Sequence, residues 1–271
     1  MKIEPQIVTV SGQDWNVAVI GPEDAERTLL LCNGIGASLD TIGPFAEHFK
    51  RTRLVAFDVP GVGQSPTPVV PYRFANLSRM LNRVLDQLGI GDVDVFGVSW
   101  GGALAQQFVR DNQHRCRTMT LAATSAGFVM VPGNVSVLSK MMTPRRYNDP
   151  DYLFSIAAEI YGGEVAFNQE LLKDHAMAMQ SGNGKGYFYQ LLAVWGWTSY
   201  LWLNQIKVPS LILMGRDDPL VPLVNGKILA RRLRNSQLET VDCGHLFMLT
   251  QAERVADRVE EFLFAENAEL V

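Results

Sequence analysis

The pattern of apolar and polar residues predicts two strands near the N-terminus and then a regular succession of strands and helices. Apolar side chains alternate with polar ones at residues 6–10 and 15–20, as in half-buried strands. Short and almost wholly apolar runs follow at residues 29–32, 53–57, 93–96 and 210–214, as in strands buried on both faces. Because helix patterns separate these runs, we predict an α/β fold with a mostly parallel sheet flanked by helices.

The clearest helix pattern lies between residue 74 and Gly89, which should end the helix. Its apolar residues recur at helical spacing: Phe74, Leu77, Leu81, Val84, Leu85 and Leu88. We expect this face to pack against the core.

The alternation of strands and helices stops at residues 125–205, where helical patterns follow one another without a convincing strand. We therefore predict a discontinuous α/β core, residues 1–124 and 206–271, with residues 125–205 inserted as a helical cap over the active site. We call residues 125–205 the cap segment. It holds 13 of the 25 aromatic residues, too many for a small interior, so some should line an apolar cleft. The candidate substrate contacts are Phe128, Tyr161, Trp195 and Trp197.

A glycine-rich turn between a strand pattern and a helix pattern contains the candidate nucleophile. The turn reads G-V-S-W-G-G at residues 97–102, after the strand pattern at 93–96 and before a helix pattern at 103–108. Such a turn forces its serine into a strained backbone conformation, and the flanking glycines let the strand and the helix approach each other. We predict Ser99 as the catalytic nucleophile.

The base of a catalytic triad on this architecture should follow a later strand. His245 is placed in this way, after the strand pattern at residues 237–241. A helix should follow it, because residues 250–253 have the spacing of a capping box that begins at Thr250. The other three histidines are expected on solvated surface: His48, His114 and His175.

The acid should follow the strand at residues 210–214, where two neighbouring aspartates compete. Adjacent side chains leave the backbone in different directions, so only one of Asp217 and Asp218 should face the base. The position of Asp218 directly before Pro219 favours it. Asp217 and Asp242 remain alternatives.

Two main-chain N–H groups are needed to stabilise the oxyanion formed in acyl transfer. The residue after the nucleophile, Trp100, supplies one. We expect the other from Ile35, in the loop Asn33, Gly34, Ile35, Gly36 that follows the strand at residues 29–32. Asn33 stands where many hydrolases carry histidine, and its side chain should fix the loop.

Composition and charge restrict the classes of function. A formal net charge of −4 without a basic patch gives no reason to expect a nucleic acid partner. No apolar run approaches the roughly 18 residues of a membrane span, and the first residues lack the apolar centre of a signal peptide. We therefore expect a cytoplasmic protein.

Neither a metal nor a cofactor is expected. The histidines and acidic residues show none of the short spacings that bring metal ligands together. The chain has three cysteines, Cys32, Cys116 and Cys243, so any disulfide would leave one cysteine unpaired. We expect all three to be reduced.

Several motifs resemble those of the intracellular depolymerases of medium-chain-length poly(3-hydroxyalkanoates), serine enzymes of the α/β-hydrolase fold. In the predicted core they are N-G-I-G at 33–36, F-D-V-P-G-V-G at 57–63, the turn at 97–102, D-P-L at 218–220 and G-H-L-F at 244–247. In the cap segment they are V-M-V-P-G at 129–133, P-R-R-Y at 144–147, I-Y-G-G at 160–163 and G-W-T-S at 196–199. The motifs of the cap segment are the more specific, since general esterases vary most there.

The resemblance implies that Ser99, Asp218 and His245 are nucleophile, acid and base, and that residues 33–36 form the oxyanion loop. It also implies a storage-polyester substrate, cleaved to 3-hydroxyalkanoic acids or oligomers, and contact with storage granules. Alternatives are a soluble carboxylesterase for small hydrophobic esters, a carbon–carbon bond hydrolase, and a non-catalytic relative, against which the complete triad argues. The oligomeric state stays open.

Overall fold

The computed structural model describes residues 3–143, 145, 149–163, 169–178 and 184–265. One sheet of eight strands runs through these residues in the order β1-β2-β4-β3-β5-β6-β7-β8. The strands are β1 (Gln6–Val10), β2 (Gln13–Ile20), β3 (Arg27–Cys32), β4 (Thr52–Phe57), β5 (Val93–Val98), β6 (Cys116–Ala122), β7 (Ser210–Gly215) and β8 (Ser236–Val241). β2 pairs antiparallel with β1 and β4, and every other pairing is parallel. The predicted mostly parallel sheet is confirmed.

Helices cover both faces of the sheet. They are α1 (Gly43–Ala46), α2 (Phe74–Gln87), α3 (Trp100–Asp111), α4 (Val135–Met142), α5 (Pro150–Tyr161), α6 (Gln169–Ala178), α7 (Gly184–Val194), α8 (Val224–Arg232), α9 (Phe247–Thr250) and α10 (Ala252–Phe264). Within the described ranges, none of them is long and apolar enough to cross a membrane.

The hydrophobic core has two layers, one on each face of the sheet. Leu30 of β3 packs in the layer that includes the apolar faces of α2 and α3, whereas Leu29 and Leu31 pack in the layer of α1 and α10. Successive side chains of a strand point to opposite faces, so a strand buried on both sides must be apolar throughout. This is the physical reason for the unbroken apolar runs in the sequence.

Helix α2 matches the helix predicted from the periodicity of its apolar residues. It ends at Gln87, and Gly89 follows with a φ of +67°, a conformation that glycine adopts without strain. The N–H of Gly89 donates to the carbonyl of Asp86. The buried side chains of α2 include Phe74, Leu77, Leu81, Val84 and Leu85, so the predicted core face is confirmed.

In the described part of the cap segment, helices α4 to α7 lie between β6 and β7. The two ends of this segment are joined: the N–H of Phe128 donates to Trp197 O (2.8 Å), and the N–H of Ser199 donates to Ala126 O (3.1 Å). The segment therefore leaves and rejoins the sheet at one place. The division of the chain at residues 125 and 205 into a core and a cap remains our proposal.

The capping box predicted at Thr250 is wrong. The chain first forms the short helix α9, and α10 begins after Gln251, which makes no side-chain capping bond. The Thr250 hydroxyl instead lies 3.2 Å from the sulfur of Cys243. Thr250 is the last residue of α9 and therefore not the N-cap of α10, but the helix predicted after His245 is present.

Candidate active site

Ser99 lies on the sharp turn between β5 and α3. Its backbone has φ 53° and ψ −118°, a region that residues with a side chain rarely adopt. The Ser99 N–H donates to Ala122 O (2.9 Å), and the Thr124 hydroxyl donates to Ser99 O (2.7 Å). Both bonds come from the neighbouring strand β6 and the residues after it, which hold the strained turn in place.

Two glycines of the turn are required by close packing. A Cβ at Gly97 would lie 2.5 Å from Gly101 O, and a Cβ at Gly101 would lie 2.1 Å from Cys32 O. Any side chain at either position would push α3 away from β5 or β3. The G-x-S-x-G pattern therefore reflects the approach of three backbone segments around Ser99.

Asp218 and His245 form a buried hydrogen-bonded pair in the loops that follow β7 and β8. Asp218 Oδ2 lies 2.7 Å from His245 Nδ1, and the two residues are 6% and 5% exposed. Asp218 Oδ1 accepts the N–H groups of Leu220 and Val221, each at 2.9 Å. A carboxylate at Nδ1 favours the tautomer with its proton on Nδ1, which leaves Nε2 able to accept a proton.

The two alternative aspartates lie elsewhere. Asp242 is exposed and pairs with Arg216, with 2.6 Å between Oδ1 and Nε. The hydrogen bond from Arg216 lowers the pKa of Asp242. Asp217 is exposed, and its N–H donates to Cys243 O. Of the three aspartates, Asp218 is the one bonded to His245.

Ser99 and His245 line the same pocket. Most of its wall is apolar: Ile35, Ala37, Ile42, Phe45, Val98, Met141, Leu246, Met248 and Leu249. The polar groups are Asn33, Thr41, Ser99, Tyr161, His175 and His245. An apolar pocket with a few polar groups is typical of a small-molecule site.

The loop of residues 33–36 forms part of the pocket wall. The Asn33 amide donates to the Thr41 hydroxyl (2.8 Å), and Asn33 Oδ1 accepts the N–H of Gly34 (2.8 Å). The Asn33 side chain thus ties the loop together, as the sequence predicted. Trp100, the residue after Ser99, is the first residue of α3, where an N–H has no acceptor within its own helix.

One of the four predicted substrate contacts, Tyr161, lines this pocket. Its ring lies parallel to that of His245, with centroids 6.4 Å apart. Phe128, Trp195 and Trp197 do not line this pocket, so a contact between any of them and substrate would lie outside it and stays a prediction. Trp197 packs against the rings of Phe74 and Trp202, and its Nε1 donates to Gln107.

The two other aromatic residues are at the surface: Phe128 is 73% exposed and Trp195 71%. The abundance of aromatics in the cap segment was visible in the sequence, but the direction of each side chain was not.

The position of His175 differs from the prediction, which placed this residue on solvated surface. His175 lies on α6, is half-buried and lines the pocket of Ser99. Its Nε2 lies 3.3 Å from the Tyr161 hydroxyl, and the two rings pack edge to face. No local signal marks this residue, because its position depends on how α6 packs over the sheet.

The three cysteines are buried and unpaired, as the odd number predicted. Burial raises the pKa of the Cys116 thiol to about 12 and that of Cys32 beyond the physiological range, so neither thiol is ionised at neutral pH. Within the described parts of the chain, no cluster of three histidine, cysteine, aspartate or glutamate residues could hold a metal ion.

Comparison with known proteins places this geometry among hydrolases. Residues 27–161 match the family model described as alpha/beta hydrolase fold. The poly(3-hydroxyalkanoate) depolymerase of Ectopseudomonas oleovorans is 50% identical over 265 residues, which cover 97% of this chain and 94% of that protein.

Solved structures extend the comparison of the fold. A hydrolase from Pseudomonas aeruginosa PA01 aligns over 96% of this chain and 98% of its own, with a TM-score of 0.83 at 21% identity. The enol-lactonase from Burkholderia xenovorans LB400 aligns over 95% of this chain and 99% of its own, with a TM-score of 0.84 at 19% identity. At these identities the likeness is one of fold.

Proposed function

Because this chain belongs to the poly(3-hydroxyalkanoate) depolymerases of the α/β-hydrolase superfamily, we propose that it cleaves the ester bonds of medium-chain-length poly(3-hydroxyalkanoate) through an acyl-enzyme on Ser99. The chain is an ester hydrolase by its family. The observation that carries the proposed mechanism is the buried Asp218–His245 pair, whose histidine shares one apolar pocket with the strained Ser99.

In the proposed mechanism His245 Nε2 takes the hydroxyl proton of Ser99 as the serine oxygen attacks the ester carbonyl. Asp218 orients the imidazole and stabilises its cationic form. The imidazolium then gives the proton to the departing alcohol oxygen of the polymer, which leaves an acyl group on Ser99. A water molecule, deprotonated by His245 in turn, releases the 3-hydroxyalkanoic acid or oligomer.

The oxyanion of each tetrahedral intermediate would be held by the main-chain N–H groups of Trp100 and Ile35. Such a donor typically contributes about 3 to 4 kcal/mol to transition-state stability. Two observations support the assignment. Trp100 begins a helix, and the loop that contains Ile35 forms the pocket wall beside Ser99.

The apolar pocket supports a medium-length alkyl side chain on the substrate. Phe45, Met248 and Leu249 are among the residues that would surround it. Burying each methylene group of such a chain contributes about 0.8 kcal/mol, so chain-length preference should follow how many methylenes the pocket accepts.

The surface of the cap segment supports action on an insoluble polyester. Among the described residues, most of the exposed large apolar side chains belong to this segment: Phe128, Val129, Val131, Val135, Met142, Phe154, Phe188, Trp195, Tyr200 and Leu201. A surface of this kind is typical of binding to an apolar partner. We propose that it contacts the surface of storage granules in the cytoplasm.

The deciding experiment measures acid release from an aqueous dispersion of medium-chain poly(3-hydroxyalkanoate). The wild type is compared with Ser99→Ala, whose fold is checked by circular dichroism, and both are assayed on p-nitrophenyl esters of increasing acyl length. We expect release of 3-hydroxy acids by the wild type alone and a preference for medium acyl chains.

Other results would identify a different activity. Cleavage of small esters that depends on Ser99, without attack on the polymer, would indicate a soluble carboxylesterase. That alternative is favoured by the apolar lining of the Ser99 pocket, which suits a small hydrophobic ester. Retention of polymer hydrolysis by Ser99→Ala would contradict the serine mechanism.

A further inference from the structure

Gln190, on helix α7 of the cap segment, makes hydrogen bonds to both sides of the proposed oxyanion hole. Its side-chain Oε1 accepts the N–H of Gly36 (2.9 Å), and its main-chain oxygen accepts Nε1–H of Trp100 (2.9 Å). Gly36 directly follows Ile35, and Trp100 directly follows Ser99. One residue of the cap segment thus contacts the residues that would position both N–H donors.

The hydrogen bond from the Gly36 N–H to Gln190 holds the oxyanion loop from outside the loop. On one side of Ile35, the N–H of Gly34 donates to Asn33 within the loop (2.8 Å). On the other side, the N–H of Gly36 donates to Gln190, which comes from a helix more than 150 residues away in sequence. The N–H of Gly36 belongs to the Ile35–Gly36 peptide, which Gln190 therefore holds from outside the loop. The Gly34–Ile35 peptide is held locally, because Gly34 O accepts the N–H of Ala37 (3.2 Å).

The side chain of Gln190 is poorly suited to a purely structural role. Gln190 is fully buried, and its Nε2 has no hydrogen-bond partner within the described structure. Leaving such a buried donor unpaired destabilises the fold, and an apolar residue of similar shape would avoid this loss. Among the residues that the structure describes, the side chain of Gln190 bonds to Gly36 in the oxyanion loop and to no other residue.

We propose that Gln190 is a positioning residue that couples the seating of helix α7 to the geometry of the oxyanion hole. The inference rests on the proposed function, since it takes Ile35 and Trp100 as the donors. Displacement of α7 from the core would break the bonds to Gly36 and to Trp100 together. The donors are therefore in place for the tetrahedral intermediate only when this helix is seated.

The test compares Gln190→Met with Gln107→Met on a soluble p-nitrophenyl ester. Methionine keeps the approximate shape of glutamine and removes the acceptor. Gln107 is a matched control because it is also a buried glutamine whose Oε1 accepts a bond from the cap segment, from Trp197 Nε1 (2.9 Å), but away from the oxyanion loop. The readouts are kcat, KM and the inhibition constant of a trifluoromethyl ketone that forms a tetrahedral adduct.

For Gln190→Met we expect kcat to fall about ten- to hundredfold, less than the loss of a whole oxyanion donor. KM should stay within about threefold of the wild type, because ground-state binding does not use the hole. Inhibition by the trifluoromethyl ketone should weaken in parallel with kcat. Gln107→Met should leave kcat and ketone binding close to the wild type.

The inference fails if the two methionine variants have the same kcat, or if Gln190→Met changes KM alone. These results would leave the proposed function intact, whereas ester hydrolysis by Ser99→Ala would overturn the function itself. If Gln190→Met does not fold, Trp100→Phe removes the second bond from the core side and keeps the ring. A fall in kcat and in ketone binding at unchanged KM supports the inference, and unchanged kcat contradicts it.

Discussion

The main-chain N–H of His245 donates to the carbonyl oxygen of Tyr161 over 2.7 Å, and the rings of the same two residues lie parallel. Tyr161 is the last residue of α5, so the cap segment contacts the loop of the candidate base directly. His245 is therefore held from two directions, by Asp218 at Nδ1 and by Tyr161 at the main chain.

This contact predicts that Gly244→Ala impairs catalysis. The new Cβ would lie 2.1 Å from Tyr161 O and 2.5 Å from the carbonyl carbon of Gly162, so the His245 loop must move away from α5. Because a displacement of about 1 Å can cost 10²-fold in rate, we expect kcat on a soluble ester to fall at least about tenfold. Gly91→Ala, where a Cβ meets no atom within 4 Å, is the control. Wild-type kcat in a folded Gly244→Ala would contradict the prediction.

Asp218→Asn should show that Asp218 orients His245 for catalysis in addition to supporting the loop in which it lies. The Asn oxygen can still accept the N–H groups of Leu220 and Val221, but its amide would donate to His245 Nδ1 and select the wrong tautomer. We expect kcat to fall by about 10⁴-fold with the melting temperature little changed. The matched variant Asp217→Asn changes an exposed neighbour and should retain full kcat. Equal losses in the two variants would show that Asp218 is not the acid.

The exposed aromatic residues of the cap segment should matter for polymer and not for soluble esters. Phe128 and Trp195 line no part of the Ser99 pocket and are largely exposed, so serine at both positions removes apolar contact area without altering the pocket. We expect the double variant to bind less to dispersed polymer and to release acid more slowly, with unchanged kcat/KM on a p-nitrophenyl ester.

An exposed apolar residue outside the cap segment serves as the control for the Phe128/Trp195 double variant. Ile7 of β1 is 56% exposed outside the cap segment, and Ile7→Ser should leave both assays unchanged. Equal polymer binding by the wild type and the Phe128/Trp195 double variant would rule out this surface as the contact.

Asp58 is predicted to stabilise the fold through three donors. Its Oδ1 accepts Leu39 N–H (2.7 Å), and its Oδ2 accepts Gln64 N–H (2.9 Å) and the Asn16 amide (2.8 Å). In Asp58→Asn, an amide nitrogen must face at least one of these donors, which costs about 1 to 3 kcal/mol.

For a chain of this size we expect the melting temperature of Asp58→Asn to fall by about 2 to 4 °C per kcal/mol. Thermal unfolding measures the shift, with the exposed Asp24→Asn as the control. An unchanged melting temperature would mean that the carboxylate can be replaced without loss.

Local sequence patterns predict much of the fold and the order in which the site residues follow one another along the chain. Alternating and continuous apolar runs identify strands because side-chain direction alternates along a strand. The turn at residues 97–102 identifies Ser99 because its glycines are needed where the strand and the helix pack closely. In a parallel sheet the carboxyl ends of the strands meet at one edge. The loops after β5, β7 and β8 are therefore brought together by topology alone, and with them Ser99, the pair Asp217 and Asp218, and His245.

Which side chains at that edge of the sheet contact one another depends on tertiary packing. The position of Asp218 before Pro219 favours it over Asp217, but the bond to His245 depends on how the loops after β7 and β8 pack. The same holds for His175 and Gln190, which reach the pocket and the oxyanion loop from helices of the cap segment.

The aromatic residues of the cap segment show the same difference between what the sequence determines and what tertiary packing determines. The sequence by itself determined that the cap segment is rich in aromatic side chains, whereas only the tertiary structure decided that Tyr161 lines the pocket, Trp197 is packed inside and Trp195 is exposed. The physical reason is that periodicity constrains which face of a helix is apolar. The direction in which that face points is set by contacts between residues far apart in the chain.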